Sequence, residues 1–345
     1  MLLKRFKKVD KSFDAEMTMK ILVIGCGSIG ERHIKNLKNL SANTIIAYDI
    51  NPDRLQVIKE TYSLDVFDNI DVAFDQHPGI VIVCTPPTLH IPIAMKAIDH
   101  GAHVFIEKPL SHTLKNVDDF LKKAKKKKLM VFVGYNLRFH KGIRLMKQLF
   151  DEGNIGKALF VRAEFGQYLP DWRPSQDYKK SYTANKNMGG GIILDGSHEI
   201  DYVRWFFGEI KEISCFAGTI SSLNVDVEDT AEIILKTENN IIAEIHLDFL
   251  QRAYSRNCKI IGTEGTLIWD YPGSYVKLYT VRTKQWKIFP IQTDPNDMYL
   301  EEMKYILDCI NGKSNLLIDG YAAKKVLEIA LSAKKSAKLG KAIQL

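Results

Sequence analysis

A glycine-rich segment near the start of the chain follows an apolar run over 21–24 and precedes a helix-compatible stretch over 31–40. Its residues are Gly25, Cys26, Gly27, Ser28, Ile29 and Gly30. The first glycine permits a tight turn, the second lets the backbone approach a pyrophosphate, and the third lets a helix pack against a strand. The sequence therefore predicts a strand, a turn and a helix whose N-terminus binds a dinucleotide.

A second strand ends at an acidic residue. Residues 44–49 form a β-type run that ends at Asp49, at about the twenty-residue offset where a carboxylate accepts the adenosine ribose hydroxyls. This favours NAD, because a carboxylate repels the 2′-phosphate of NADP. Arg54 lies one helical turn later and keeps NADP open as the alternative cofactor, since its cation could bind that phosphate.

Strand-like and helix-like segments alternate from residue 19 to residue 134. Further helices are predicted over 51–62, 88–100 and 113–128, and further strands over 80–84, 103–106 and 130–133. This order predicts a doubly wound, mainly parallel Rossmann sheet. Such sheets bind ligands beyond the carboxyl ends of their strands, so the loops that start at Gly25, Thr85 and Glu107 should meet at one edge.

The pattern changes after residue 135. Helices are predicted over 140–152, 192–207 and 321–338, and strands over 158–165, 231–237, 241–250, 259–261 and 266–268. These elements predict an α+β domain with a mostly antiparallel, open sheet and helices on one face. We expect an extension over 1–18, with disorder as one interpretation, a Rossmann domain over 19–137 and a substrate-binding and oligomerisation domain over 138–345.

Composition argues against several classes of function. The net charge is +7, but the lysine-rich run over 122–128 ends a predicted helix and has no interleaved aromatic residues, so nucleic acid is not an expected partner. No segment reaches the roughly 20 apolar residues of a membrane span, and residues 1–20 lack the apolar core of an export signal. The five cysteines are scattered, which fits reduced thiols in the cytoplasm.

Five motifs, in order, resemble the Gfo/Idh/MocA family of nicotinamide-dependent sugar and inositol oxidoreductases. They are the glycine segment, Thr85-Pro86-Pro87-Thr88-Leu89-His90, Glu107-Lys108-Pro109, Tyr135-Asn136-Leu137-Arg138-Phe139, and Gly189-Gly190-Gly191 followed by Asp195 and His198. The resemblance covers nearly everything after residue 19. It implies that Lys108 is the catalytic residue beside the nicotinamide and that Asp195 and His198 hold the reacting sugar hydroxyl.

The same resemblance implies further cofactor contacts. Thr85, Pro86 and His90 would line the adenosine and ribose side. Glu107 would belong to the cofactor-binding set, and Asn136 would lie near the nicotinamide.

The chemistry of alcohol oxidation supports these roles. Hydride passes to the nicotinamide while a base takes the hydroxyl proton, and a lysine can serve because the positive nicotinamide lowers its pKa. Asp195 and His198 are three positions apart on one helical face, where the helix dipole favours a neutral histidine. We expect Lys108 and His198 to form the acid/base relay and Asp195 to orient the substrate or His198. The commoner family spacing of the last two is four, so a local bulge that re-aims Asp195 is the alternative geometry.

A polar, aromatic and basic loop precedes the three glycines. Its residues Trp172, Arg173, Tyr178 and Lys179 offer aromatic faces for a sugar ring and cations for an anionic group, and Arg138 adds another cation. A neutral polyol needs no such cluster, so this loop favours a phosphorylated or nucleotide-linked sugar. A basic loop is also typical of a solvated surface or a subunit contact.

The expected function is an NAD-dependent sugar dehydrogenase or ketoreductase that acts on a secondary hydroxyl. The alternatives are an inositol or polyol dehydrogenase, a glycosidase of the same fold that uses NAD transiently, and a non-catalytic nucleotide-sensing regulator. No metal is expected, since Asp195 and His198 lack a further ligand cluster. Because the open sheet needs cover, we expect a homodimer or homotetramer.

Overall fold

The computed structural model describes residues 19–40, 44–174, 176–314, 316 and 318–345. The extension predicted over 1–18 lies outside these residues. The described chain contains two sheets, one of six strands and one of nine.

The first sheet is parallel throughout. Its strands are β1 (Lys20–Ile24), β2 (Thr44–Tyr48), β3 (Asp65–Phe67), β4 (Ile80–Val83), β5 (His103–Ile106) and β6 (Val131–Val133). The strand order is β3-β2-β1-β4-β5-β6, which confirms the predicted Rossmann sheet. The order reverses between β1 and β4, and this switch point opens a crevice at the carboxyl ends of the strands.

Helices cover both faces of this sheet. They are α1 (Ser28–Asn39), α2 (Pro52–Tyr62), α3 (Ile70–Phe74), α4 (His90–Asp99) and α5 (Val117–Lys126). Every residue of β4 is buried, as expected for an apolar run that has helices on both sides. Sequence patterning did not predict β3 and α3, because both are short and β3 is only partly buried.

The second sheet has the order β14-β13-β12-β11-β7-β10-β9-β8-β15. Its strands are β7 (Ala158–Gly166), β8 (Ile210–Gly218), β9 (Thr230–Thr237), β10 (Ile242–Asp248), β11 (Ser255–Gly262), β12 (Gly265–Asp270), β13 (Tyr275–Thr280), β14 (Trp286–Pro290) and β15 (Ile343–Gln344). All neighbouring strands pair antiparallel except β7 and β10, which are parallel. The predicted hairpins β9–β10 and β11–β12 are confirmed, and the sheet is mostly antiparallel as predicted.

Five helices follow the first domain. They are α6 (Lys141–Asp151), α7 (Ile192–Asp195), α8 (Ser197–Phe207), α9 (Asp297–Ile310) and α10 (Gly320–Leu339). The single helix predicted over 192–207 is divided at Gly196, where an added Cβ would lie 2.7 Å from the Leu247 side chain. The break lies between Asp195 and His198, so each side chain is positioned by a different helix.

Helix α9 joins the two halves of the molecule. Its residues Met303, Ile306, Leu307 and Cys309 belong to the apolar core that also contains Ile21 of β1. A helix from well beyond residue 137 therefore packs against the first sheet. No sequence pattern had assigned a helix to this part of the chain.

Candidate active site

A cleft of about 320 Å³ lies between the two sheets. Twelve residues predicted to act in catalysis or binding line it, namely Gly27, Ser28, Ile29, Thr85, Pro86, Glu107, Lys108, Asn136, Trp172, Arg173, Asp195 and His198. The first eight belong to the Rossmann domain and the others to the second domain. The structure therefore brings the predicted cofactor loops and the predicted catalytic residues to one cavity.

The glycine loop has room for a diphosphate. Gly25 has a φ of +91°, and a Cβ there would lie 2.7 Å from the Cys84 carbonyl oxygen. A Cβ on Gly30 would lie 1.9 Å from the Gly25 carbonyl oxygen, whereas one on Gly27 would meet nothing within 4 Å. The outer two glycines are thus needed for close packing, while Gly27 borders open space at the N-terminus of α1. This cradle fits a dinucleotide.

Asp49 and Arg54 lie beside this loop. The Asp49 carboxylate accepts the N–H of Cys26 at 2.6 Å and that of Asn51 at 2.8 Å, so it is fixed at the end of β2. Arg54 donates to the Cys26 carbonyl oxygen at 2.6 and 2.9 Å and to Glu31 at 2.7 Å. Because its guanidinium already holds the loop and a carboxylate, Arg54 is poorly placed to bind a 2′-phosphate.

Lys108 contacts Asp195 at the centre of the cleft. Its ammonium donates to the Asp195 backbone oxygen at 3.0 Å and to Oδ1 at 3.2 Å. Tyr182 donates its hydroxyl to the same Oδ1 at 2.8 Å. Burial, followed by the charge of Asp195, raises the pKa of Tyr182, which keeps this hydroxyl a donor. Asp195 therefore links Lys108 to Tyr182, a tyrosine of the loop that precedes the three glycines.

His198 lies in the same wall of the cleft. Burial first, and then the charges of Arg256 and Lys108, lower the pKa of its imidazole well below 6.5. Its ring packs edge-on against Tyr135, with the centroids 5.8 Å apart. His198 Nδ1 and Asp195 Oδ2 are both buried without a hydrogen-bond partner among the described residues. Unsatisfied buried polar atoms are uncommon in folded proteins, and two beside one lysine indicate a place for a polar ligand.

Glu107 is positioned from two sides. Its Oε1 lies 2.6 Å from His33 Nε2, and its Oε2 accepts the backbone N–H of Lys108 at 3.2 Å. His33 comes from α1, the helix that follows the glycine loop. The contact therefore connects the cofactor loop to the strand end that carries Lys108.

Two predicted residues have other roles in the structure. Arg138 was predicted to bind substrate, but it is buried and forms a bidentate ion pair with Asp201 at 2.7 and 2.8 Å, away from the cleft. His90 was predicted to line the adenosine, but it is 1% exposed. Its ring nitrogens lie 2.8 Å from the Thr85 oxygen and 2.9 Å from the Pro109 oxygen. His90 therefore connects the loop at Thr85 to the loop at Pro109 through these two contacts.

The structure also places Tyr178 and Lys179 outside the cleft. The Tyr178 hydroxyl accepts the Asn224 N–H at 3.4 Å. Lys179 is exposed, and its ammonium lies 6.0 Å from the Tyr178 ring centroid.

Other lining residues were not predicted as site residues. They include Cys84, Phe165, Arg256 and Tyr299. Arg256 had a recognisable signal, because it is a charged residue in phase with the buried positions Cys258 and Ile260 of β11. Tyr299 had none, since it comes from the unassigned helix α9.

The described residues also bear on metal binding and on membrane insertion. Within the described ranges, no group of three or more His, Cys, Asp or Glu side chains could hold a metal ion. None of the helices that the structure describes is long and apolar enough to cross a membrane.

The fold and the cleft define a class of protein, the nicotinamide-dependent oxidoreductases with a Rossmann domain and a separate substrate domain. Residues 19–135 match the family described as "Oxidoreductase family, NAD-binding Rossmann fold", and residues 143–268 match the "GFO/IDH/MocA C-terminal domain". The chain belongs to the GFO/IDH/MocA oxidoreductase family. Its cofactor is NAD, and it is an oxidoreductase that acts on CH–OH groups.

Similar proteins include inositol dehydrogenases. The myo-inositol 2-dehydrogenase of Thermotoga maritima is 30% identical over 346 residues, covering 92% of this chain and 98% of that protein. The scyllo-inositol 2-dehydrogenase (NAD(+)) of Bacillus subtilis is 25% identical and covers 96% and 97% of the two chains. Among solved structures, levoglucosan dehydrogenase in complex with NADH and levoglucosan gives a TM-score of 0.86 at 19% identity, covering 95% and 99%. The last of these supports the fold alone.

Proposed function

We propose that the chain oxidises a neutral cyclic polyol of the inositol class with NAD. The observation that carries this proposal is the charge balance of the cleft. Lys108 is paired with Asp195, and Arg256 forms a bidentate pair with Glu199 at 2.8 and 2.9 Å. Cations that are already paired attract an anionic substrate weakly, whereas their remaining N–H groups suit hydroxyl oxygens. The names of the inositol dehydrogenases among the relatives support the same class.

A phosphorylated or nucleotide-linked sugar, which the sequence favoured, is the second candidate. That prediction rested on a cluster of cations, but Arg138 is paired with Asp201 and Lys179 lies outside the cleft. Arg173 lines the cleft and has no ion pair among the described residues. This single cation is what favours an anionic substrate.

The side chains around the cleft have different roles in the oxidation of an alcohol. When bound, NAD supplies the hydride acceptor. Lys108 and His198 form the acid/base relay: the Lys108 ammonium, beside Asp195, donates a hydrogen bond to the hydroxyl oxygen, and His198, kept neutral mainly by burial, can accept the hydroxyl proton. Asp195, through its unpaired Oδ2, orients the hydroxyl toward these two groups.

The proposal is tested by NADH absorbance with a panel of alcohols. Purified protein is incubated with NAD and myo-, scyllo- and chiro-inositol, free hexoses, hexose phosphates and nucleotide-linked sugars. We expect turnover on at least one inositol and a loss of about 10²- to 10⁴-fold in kcat for Lys108→Ala. Lys125→Ala, an exposed lysine of α5, is the matched control and should retain full activity.

Each other outcome identifies an alternative. Turnover confined to charged sugars, and lost in Arg173→Ala, would replace the polyol by an anionic substrate. NAD that stays bound through purification, with glycoside cleavage and no net NADH, would indicate the transient-oxidation glycosidase. Binding of NAD without turnover of any substrate would favour the nucleotide-sensing regulator.

We also infer that the protein self-associates through the open face of the second sheet. The side chains of Phe216, Ile234, Ile242 and Ile288 on this face are 82%, 41%, 44% and 61% exposed. A broad face with such residues needs cover, and a two-fold dimer would provide it. Sedimentation of wild type and of Phe216→Asp/Ile288→Asp tests this, with Ile50→Asp, which alters an exposed apolar residue of the first domain, as control. A monomeric wild type would contradict it.

A further inference from the structure

Arg256 lies where the second sheet meets the cleft. It is near the start of β11, and its cross-strand partner on β7 is Phe165. Its guanidinium carbon lies 4.4 Å from the Phe165 ring centroid, and both residues line the cleft. The side chain thus reaches the cavity beside Phe165.

Glu199 fixes the orientation of this guanidinium. Arg256 Nε and Nη2 donate to the two carboxylate oxygens at 2.8 and 2.9 Å. The Glu199 side chain is fully buried, and that of Arg256 is 12% exposed. A bidentate pair uses one edge of the planar group, so the N–H groups of Nη1 are left free of the carboxylate.

The location of this pair suggests a role beyond packing. A buried ion pair contributes little net stability compared with apolar residues of similar size, because both charges lose their hydration. Here the pair is next to His198 in sequence and opens onto the cavity that contains Lys108. A preorganised donor at that point can hold a substrate without a large cost in side-chain entropy.

We propose that Arg256 is a substrate-binding residue that donates hydrogen bonds to a hydroxyl group next to the reacting carbon and thereby selects which stereoisomer is oxidised. This inference rests on the proposed function, since it presupposes a polyol in the cleft. Lys108, Asp195 and His198 bind the reacting hydroxyl, and Arg256 binds a neighbouring one. Burial first, and then the charge of Arg256, lower the pKa of His198.

The test combines variants with substrates that each lack one hydroxyl. The proteins are wild type, Arg256→Lys, and the double variant Arg256→Met/Glu199→Gln, which leaves neither charge buried alone. The substrates are the best inositol and its mono-deoxy analogues, or the best alcohol of the panel and its deoxy analogues. Fluorescence titration with NADH verifies that each variant still binds the cofactor in the Rossmann domain.

We expect the variants to lose about 10- to 100-fold in kcat/KM on the full substrate, as is typical when a hydrogen bond to a charged group is removed. For one deoxy analogue, wild type and variants should be equal, because the hydroxyl that Arg256 binds is absent. An equal loss on every analogue, with NADH binding intact, would show that Arg256 is only structural and would overturn the proposal. A wild type that oxidises no alcohol at all would overturn the proposed function as well, so the two failures are distinct.

Discussion

His33 Nε2 lies 2.6 Å from Glu107 Oε1 and so connects the helix of the glycine loop to the residue that precedes Lys108. Both residues are largely buried, with side-chain exposures of 0% and 12%. The position of Lys108 therefore depends on the packing of α1, which also forms one wall of the cofactor site. One hydrogen bond therefore connects the glycine-loop helix to the position of Lys108, the proposed catalytic residue.

Replacement of His33 tests this link. His33→Asn should lower the free energy of unfolding by about 1–3 kcal/mol, because the Glu107 carboxylate loses a buried partner, and should raise the Kd for NAD about 10-fold. Urea unfolding and fluorescence titration measure the two quantities. His100→Asn, at an exposed position of the first domain, is the control. A destabilised variant with unchanged NAD affinity would mean that the contact serves stability alone.

Asp49 should determine the choice between NAD and NADP. Its carboxylate is fixed by the N–H groups of Cys26 and Asn51, and repulsion of a 2′-phosphate should make NAD the better substrate. In Asp49→Ser we expect the preference for NAD over NADP, measured as the ratio of the two kcat/KM values, to fall by about 10- to 100-fold. A change of this size is typical when one charged contact is lost. Steady-state rates with both cofactors measure this. Asp53→Ser, which changes a nearby exposed carboxylate on α2, should keep the wild-type preference; an equal effect there would point to overall charge instead.

Much of the Rossmann domain was predictable because its pattern is local. An apolar run, a glycine turn and an amphipathic helix are each encoded within about a dozen residues, so β1, α1 and the carboxyl-end loops followed from the sequence. Lys108, Asp195 and His198 were predicted from the family resemblance and line one cleft in the structure, and their catalytic roles stay a prediction. Strand β3 and helix α9 were missed, since β3 is short and α9 follows no motif.

What the sequence could not show is which charges neutralise one another. Arg138 looked available for an anionic substrate, but its partner Asp201 lies 63 positions away and is placed there by the fold. Arg256 and Glu199 are 57 positions apart, on a strand and a helix. Such pairs depend on tertiary packing, and they changed the expected substrate from an anionic sugar to a neutral polyol.

His246 should make stability depend on pH on the alkaline side. It lies on the open face of the second sheet, 2.7 Å from Asp248 and 2.5 Å from Glu232, and the hydrogen bond to Asp248 raises its pKa to about 9. The folded-state pKa exceeds the ordinary value of 6.5. The stabilisation is therefore complete below pH 6.5 and is lost as the pH rises towards 9.

The stabilisation that His246 contributes at low pH should be about 1–2 kcal/mol. This is less than its full pKa shift would give, because Glu232 and part of His246 face solvent. Urea unfolding at pH 6 and pH 9.5, at one protein concentration, should show that His246→Gln is less stable than wild type only at the lower pH. His100→Gln serves as the exposed histidine control. A constant difference between wild type and His246→Gln at both pH values would contradict the assignment.

Tyr182 should affect catalysis through Asp195. Its hydroxyl donates to Asp195 Oδ1 at 2.8 Å, and the same oxygen accepts from Lys108 at 3.2 Å. In Tyr182→Phe, Oδ1 keeps only the lysine as a side-chain donor, so the carboxylate is positioned less firmly in the cleft. We expect NADH absorbance to show a kcat about 10-fold lower than in wild type, with the KM for NAD unchanged.

The value of kcat distinguishes this role from a simple contact with the substrate. If Tyr182 only packed against the sugar ring, Tyr182→Phe would retain the aromatic face and leave kcat as in wild type. Tyr178→Phe is the matched control, because Tyr178 belongs to the same loop but its hydroxyl contacts Asn224 outside the cleft. A lower kcat in Tyr182→Phe alone would show that the loop before the three glycines affects catalysis by donating one hydroxyl to Asp195.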